Sequence, residues 1–132
     1  MSAPERPVEF LQRILVVEDD HLLADLLADV LTYENCVPDI AVNGLDALDK
    51  LRSSDYTAVI CDLMLPGLDG ENLYNEVVKA YPFLADKFLF ITGQVVARAG
   101  LTDFIYRTGN PLLQKPFEID EFRDALRQLL AR

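Results

Sequence analysis

The chain has 132 residues, 51% of them hydrophobic, with 12 basic against 22 acidic residues and a net charge of −10. That length suits one domain, and the apolar content suffices for one packed core, which excludes a disordered chain. The acidic balance disfavours direct contact with nucleic-acid phosphates, and no apolar run is long enough to cross a membrane.

Residues 1–12, MSAPERPVEFLQ, lack the basic-then-apolar build of a signal peptide and read as a short tail ahead of a domain over 13–132. Ile14–Val17 reads as an apolar strand that runs straight into Glu18, Asp19 and Asp20. Leu22, Leu23, Leu26, Leu27, Val30 and Leu31 then recur at helical spacing, with Asp25 and Asp29 off the stripe. Val37–Val42 predicts a second strand, closed by the plain turn Asn43-Gly44, and a helix follows with Leu45, Leu48 and Leu51 inward. Thr57–Cys61 is a third strand, ending at Asp62. The turn LPGLDG opens a helix over Glu71–Ala80, stopped before Pro82. Phe88–Ile91 is a fourth strand, ending in Thr92. Gly93 and Gly100 then predict a long loop and a short helix near Thr102–Arg107. Leu112–Gln114 is a short fifth strand ending in Lys115-Pro116, and a last helix carries Phe122, Ala125, Leu126, Leu129 and Leu130 on one stripe.

Cys36 and Cys61 show no metal-site spacing and read as reduced core or near-core thiols of a cytoplasmic protein. His21 is the sole histidine, which excludes a His-rich metal site and argues against a Ser-His-Asp arrangement.

Strands alternating with helices make βαβ units, hence a parallel sheet covered on both faces. Right-handed crossovers then give a five-stranded doubly wound α/β sandwich, whose ligands bind at the carboxyl ends of the strands. Glu18, Asp19 and Asp20, Asp62, Thr92 and Lys115 all sit at those ends. Each has a plainer reading: acids favour a helix start, Asp62 could cap a turn, and Thr92 and Lys115 could be ordinary surface residues. Their convergence on one edge favours function, because unrelated surface residues would scatter over both.

Clustered hard oxygens suit Mg²⁺, or Mn²⁺ in its place, with one or two protein carboxylates and phosphate oxygens. A carboxylate can attack phosphorus to form an acyl phosphate, a transfer that needs charge neutralisation more than acid–base work. Asp62 as nucleophile, with Glu18 and Asp19 for the metal and Lys115 and Thr92 as cation and hydroxyl donor, fits that chemistry. Neither GxGxxG nor GxxxxGK[ST] occurs, so the phosphoryl donor need not be a bound nucleotide.

The segments ILVVEDD, AVICDLMLPGLDG, FLFITG and LLQKPF, in this order and spacing, resemble the receiver domain of two-component response regulators over residues 13–131. The resemblance implies a flavodoxin-like fold, βα repeated five times, with an irregular or shortened fourth helix. It implies Asp62 as phospho-acceptor, loaded by a histidine kinase or histidine phosphotransfer protein. Asp19 would ligate the metal directly, Glu18 through water, and the Met64 main-chain carbonyl would complete the protein ligands. Lys115 would pair with the phosphoryl oxygens, Thr92 would move toward them, and Lys115-Pro116 would be cis. Asp20 keeps the plain role of favouring the helix start. Met64 and Gln94 stand where the family tunes the lifetime of the phosphoryl group. Leu112 stands where the family often has a Tyr or Phe that swings with the Thr, and Tyr106 is read as a helix packing residue. The switch is therefore expected in the segment Gly93–Leu101.

The resulting expectation is a phosphorylation-dependent signalling switch that is not a turnover enzyme. Two other classes stand against it: a pseudo-receiver that only binds proteins, and a Mg²⁺-dependent phosphatase acting on small molecules. The full acid, hydroxyl and lysine set argues against the first. Met64 in place of a second acid, and no room for a substrate cap, argue against the second. With no output domain after residue 131, output is expected through a downstream protein target or phosphorelay. A homodimer through the face of the fourth and fifth strands is compatible with the sequence.

Overall fold

The computed structural model describes residues 11–93 and 100–132. Five strands alternate with five helices. In chain order they are β1 (Gln12–Val17), α1 (His21–Tyr33), β2 (Cys36–Ala41), α2 (Gly44–Ser53) and β3 (Ala58–Asp62). There follow α3 (Gly70–Ala80), a 3₁₀ turn (Pro82–Leu84), β4 (Phe88–Thr92), α4 (Leu101–Thr108), β5 (Leu112–Gln114) and α5 (Ile119–Leu130). All pairings are parallel, in the order β2-β1-β3-β4-β5. The order reverses between β1 and β3, which makes the crevice above those two strands the expected ligand position. The predicted doubly wound sheet is present, with a fourth helix of 8 residues against 13 for α1.

Period-two alternation divides the strand side chains between two cores. Leu15, Val17, Val59, Cys61, Phe88 and Phe90 face α2, α3 and α4 through Leu51, Leu73, Val77 and Phe104. Ile14, Val16, Ile60, Leu89 and Ile91 face α1 and α5 through Leu27, Leu31, Phe122, Leu126 and Leu129. Each fully buried Leu, Ile or Phe stabilises the fold by about 1.5–3 kcal/mol relative to exposure. Under α4, Tyr74 meets Phe88, Phe90 and Phe104 edge-on at centroid distances of 4.9, 5.6 and 5.5 Å. The Tyr74 hydroxyl reaches the Ala85 carbonyl at 2.8 Å, so the ring is buried without stranding its polar end.

Four predicted packing residues lie elsewhere. Leu22, Leu26 and Leu45 are exposed, the inward positions being Ala24, Leu27, Val30 and Leu31 on α1 and Ala47 and Leu51 on α2. Tyr106, read as a packing residue, is 87% exposed, while Phe104 and Ile105 fill the core beside it. A helical stripe shows which residues are apolar but not which edge of a wide stripe meets the sheet. On α1, Leu22 and Leu26 share an outward row with Asp29 and Tyr33, while Leu23, Leu27, Val30 and Leu31 face the core. The last helix keeps its stripe: Phe122, Leu126 and Leu129 are buried, with Ala125 and Leu130 packed against them.

Candidate functional site

Register places the site. Val17 pairs with Cys61, so Glu18 and Asp62 leave adjacent strands at one level. Asp62 pairs with Ile91 and Thr92 with Gln114, so Thr92 and Lys115 follow at the same edge. Backbone bonds continue the ladder past the strands: Glu18 N–H to the Ala41 carbonyl at 3.0 Å, Leu63 N–H to Ile91 at 2.8 Å, and Lys115 N–H to Thr92 at 2.7 Å. The four side chains are thus delivered by a rigid sheet rather than by free loops. The Lys115-Pro116 peptide is cis, as the resemblance implied.

Glu18, Asp62 and Thr92 are buried, at 2%, 4% and 2% exposure. The Lys115 ammonium lies 2.9 Å from Asp62 Oδ2 and 3.1 Å from Glu18 Oε1. Asp62 Oδ1 accepts the Met64 N–H at 2.8 Å, and Glu18 Oε2 accepts the Asp20 N–H at 3.1 Å. Glu18 Oε1 is buried and, despite the nearby ammonium, has no aligned hydrogen bond. Asp19 is exposed at the rim, and one carboxylate oxygen from each of Glu18, Asp19 and Asp62 lies within 4.8 Å of the others. Asp20 stands apart from this group. Its carboxylate accepts the Leu22 and Leu23 N–H groups at 3.0 and 3.3 Å and caps α1, the role expected of it.

Burial pushes the Glu18 carboxyl up to about 7; the Asp62 charge adds to this, while the Asp20 N–H and Lys115 oppose it. Burial works to lower the Lys115 ammonium, but its contacts with Asp62 and Glu18 outweigh that and raise it. Burial also raises the Cys61 thiol, helped by Asp62 and Glu18, which keeps it protonated and unreactive. Cys36 and Cys61 are both buried and free. The cluster is therefore rich in negative charge within a poorly solvated edge, with one buried carboxylate oxygen left without an aligned donor. A divalent cation bound by hard oxygens fits these residues, and no Cys or His stands among them to favour a softer ion.

The structure brings Glu18, Asp62 and Lys115 into contact, sets Asp19 at the rim beside them, and places Thr92 at the same strand edge. Met64 meets the site through its N–H, which donates to Asp62, and its side chain is 56% exposed. Leu112 is partly buried against the α2–α4 core. Gln94, and residues 94–99 of the segment expected to carry the switch, lie outside the described residues. Gly44 and Gly70, read from sequence only as residues of turns, also sit where chain segments come close. A methyl group at either would sit within 3 Å of backbone atoms in the loop that follows Asp62. No pattern of residue types signals such a close approach.

A family model described as "Response regulator receiver domain" matches residues 14–127. The transcriptional regulatory protein TcrA of Mycobacterium tuberculosis is 36% identical over 121 residues, 91% of this chain and 46% of TcrA. The response regulator ArlR of Staphylococcus haemolyticus is 34% identical over 119 residues, 90% of this chain and 52% of ArlR. The chain thus spans about half the length of the curated relatives it matches. Among solved structures, the response regulator TrrA of Thermotoga maritima, in complex with Mg²⁺-BeF, superposes with a TM-score of 0.77 at 31% identity. That match covers 90% of this chain and 99% of TrrA. A CheY-like receiver domain protein from Methanospirillum hungatei superposes with a TM-score of 0.82 at 24% identity, covering 92% and 94% of the two chains, and supports the fold.

Proposed function

The chain belongs to the response regulator receiver domain family, and from that premise we propose that it is a signalling switch that takes a phosphoryl group onto Asp62 from a phosphohistidine donor. The observation that carries this reading is the buried Glu18–Lys115–Asp62 contact beside Asp19 at the switch point of the sheet. A pseudo-receiver kept only for its surface would have no use for two buried carboxylates at one ammonium, an arrangement that is costly unless it is functional.

Glu18, Asp19 and Asp62, with the Met64 carbonyl, would hold Mg²⁺ or Mn²⁺. Bound there, the ion supplies charge neutralisation for the phosphoryl oxygens. The chain's own residues do the rest. A carboxylate oxygen of Asp62 attacks phosphorus, the P–N bond to the donor imidazole breaks, and its electron pair stays on the imidazole nitrogen. The product is an acyl phosphate on Asp62. Lys115 already lies against Asp62 and is positioned to pair with the phosphoryl oxygens, while Thr92, buried one strand away, is the hydroxyl that could donate to them. The site turns over only its own phosphorylation and dephosphorylation, so the protein is not an enzyme in the usual sense. The partners are then a histidine kinase or histidine phosphotransfer protein upstream and a protein target downstream, without direct nucleic-acid contact. That TrrA was solved with Mg²⁺-BeF adds support from a relative 31% identical.

Incubation with Mg²⁺ and a small phosphoramidate or acyl phosphate, followed by intact mass measurement, tests the reading. One phosphoryl group is expected on the wild-type protein and none on Asp62→Asn. A wild-type protein that gains no mass under any donor or metal condition would overturn it in favour of the pseudo-receiver.

A further inference from the structure

The loop between β3 and α3 is held from both sides by glycines. Gly70 opens α3, and a methyl group there would lie 2.8 Å from Leu63 Cα and 2.9 Å from the Asp62 carbonyl oxygen. Gly44 opens α2, and a methyl group there would lie 2.8 Å from the Leu68 carbonyl oxygen and 2.9 Å from Leu68 Cβ. Nonbonded carbon contacts are optimal at about 3.5–4.0 Å, so both glycines are needed for these approaches. At each, an offending atom is backbone, and no rotamer change relieves the clash.

Gly70 touches Asp62 directly, and its effect on the site cannot be separated from its effect on the chain that carries it. Gly44 is different, because it belongs to another element. We propose that Gly44 is a positioning residue for the Asp62 carboxylate, acting through Leu68 and along the loop to the Met64 N–H. The helix behind Gly44 cannot retreat, since Ala47 and Leu51 hold it in the core. Leu68 packs against the same core and cannot move inward. A methyl group at residue 44 is therefore absorbed by the loop. Its tie to the site is the 2.8 Å hydrogen bond from Met64 N–H to Asp62 Oδ1, and displacement of the loop loosens that bond. The end of β2, the one strand end without a chemical group, thus serves the site through a missing side chain.

Amide hydrogen exchange of the metal-free protein tests this at Met64, with the β3 amide of Val59 reporting global stability. Gly44→Ala is expected to speed Met64 exchange about tenfold relative to Val59, the signature of a local opening. Leu48→Ala, which weakens the same helix on its core side, should leave that ratio unchanged. Should Gly44→Ala fail to fold, Leu68→Ala leaves the Leu68 carbonyl and Cβ in place but removes the Cδ2 contact and the core packing that seat the loop on α2, and should raise the ratio by a smaller factor. If neither variant changes the ratio more than Leu48→Ala does, the proposal is overturned.

A second readout rests on the functional reading above: Mg²⁺ binding should weaken severalfold in Gly44→Ala but not in Leu48→Ala. Unchanged Mg²⁺ affinity with a loosened Met64 amide would break the link to Asp62 and overturn the proposal. A wild-type protein that binds no Mg²⁺, with Met64 still loosened by Gly44→Ala, would sink the functional reading and leave the clamp standing.

Discussion

Glu18 and Asp62, with Asp19 beside them, have one cation against them among the described residues, the Lys115 ammonium on Glu18 and Asp62. Lys115 can offset one carboxylate well and a second in part, and burial makes the remainder costly. A divalent ion at this point removes the excess, so metal binding and stability are linked. At Mg²⁺ a hundredfold above its dissociation constant, the folded state gains about 2.7 kcal/mol, a rise in melting temperature on the order of 10 °C. Asp19 supplies the exposed third carboxylate, and Asp19→Ala should abolish that rise while costing the metal-free protein little, because Asp19 is exposed and makes no ion pair among the described residues. Paired melts in Mg²⁺ and in chelator would show it. An Asp19→Ala protein that responds to Mg²⁺ like wild type would contradict the division of labour between Asp19 and the helix-capping Asp20.

Within the elements, strand identity was legible because apolar runs of four or five residues between turn signals have few other homes in a short α/β chain. The site was legible for the same reason, since naming the strands also names the residues that end them. Helix faces were less so. Leu22, Leu26 and Leu45 satisfy helical spacing yet are exposed, because a wide apolar stripe does not say which of its edges meets the sheet. The close approach at Gly44 is not legible in sequence, because distances between elements appear only once the elements are packed.

Caps were partly legible, and that of α2 can be tested by pH. Asn43 accepts the Asp46 N–H at 2.8 Å, Asp46 accepts the Val42 N–H at 3.0 Å, and Lys50 reaches Asp46 at 3.0 Å. Burial works to raise the Asp46 carboxyl, but Lys50 and the Val42 N–H outweigh it and hold the group below its ordinary value of 3.8. A carboxyl lowered by folding stabilises the fold above its unfolded pKa, and that contribution is lost as pH falls through the folded value. Asp46→Ala should therefore cost about 1 kcal/mol near pH 7, the usual net worth of a hydrogen bond such as the one it accepts from the Val42 N–H. The gap between mutant and wild type should narrow once the pH falls below 3.8. Urea melts across that range would measure it, and a gap that stays constant into acid would show that the charge of Asp46 contributes nothing.

Over the whole molecule, 22 acidic residues against 12 basic ones leave a net charge of −10 on one domain. Several of the cations are already engaged: Lys115 with Asp62 and Glu18, Arg123 and Arg127 with Glu34, Lys50 with Asp46. What remains outward is an excess of carboxylate, whose field repels a phosphate backbone rather than releasing counterions from it. Non-specific binding by basic surfaces has dissociation constants of about 10⁻⁴–10⁻⁶ M at physiological salt. This domain should leave a random duplex unshifted on a native gel at tens of micromolar. Lowering the salt makes the comparison sharper, because it strengthens attraction for a basic surface and repulsion for an acidic one. Retardation that grows as salt is removed would show a basic face that the pairing among the described residues conceals, and would reopen direct nucleic-acid contact as an output of the domain.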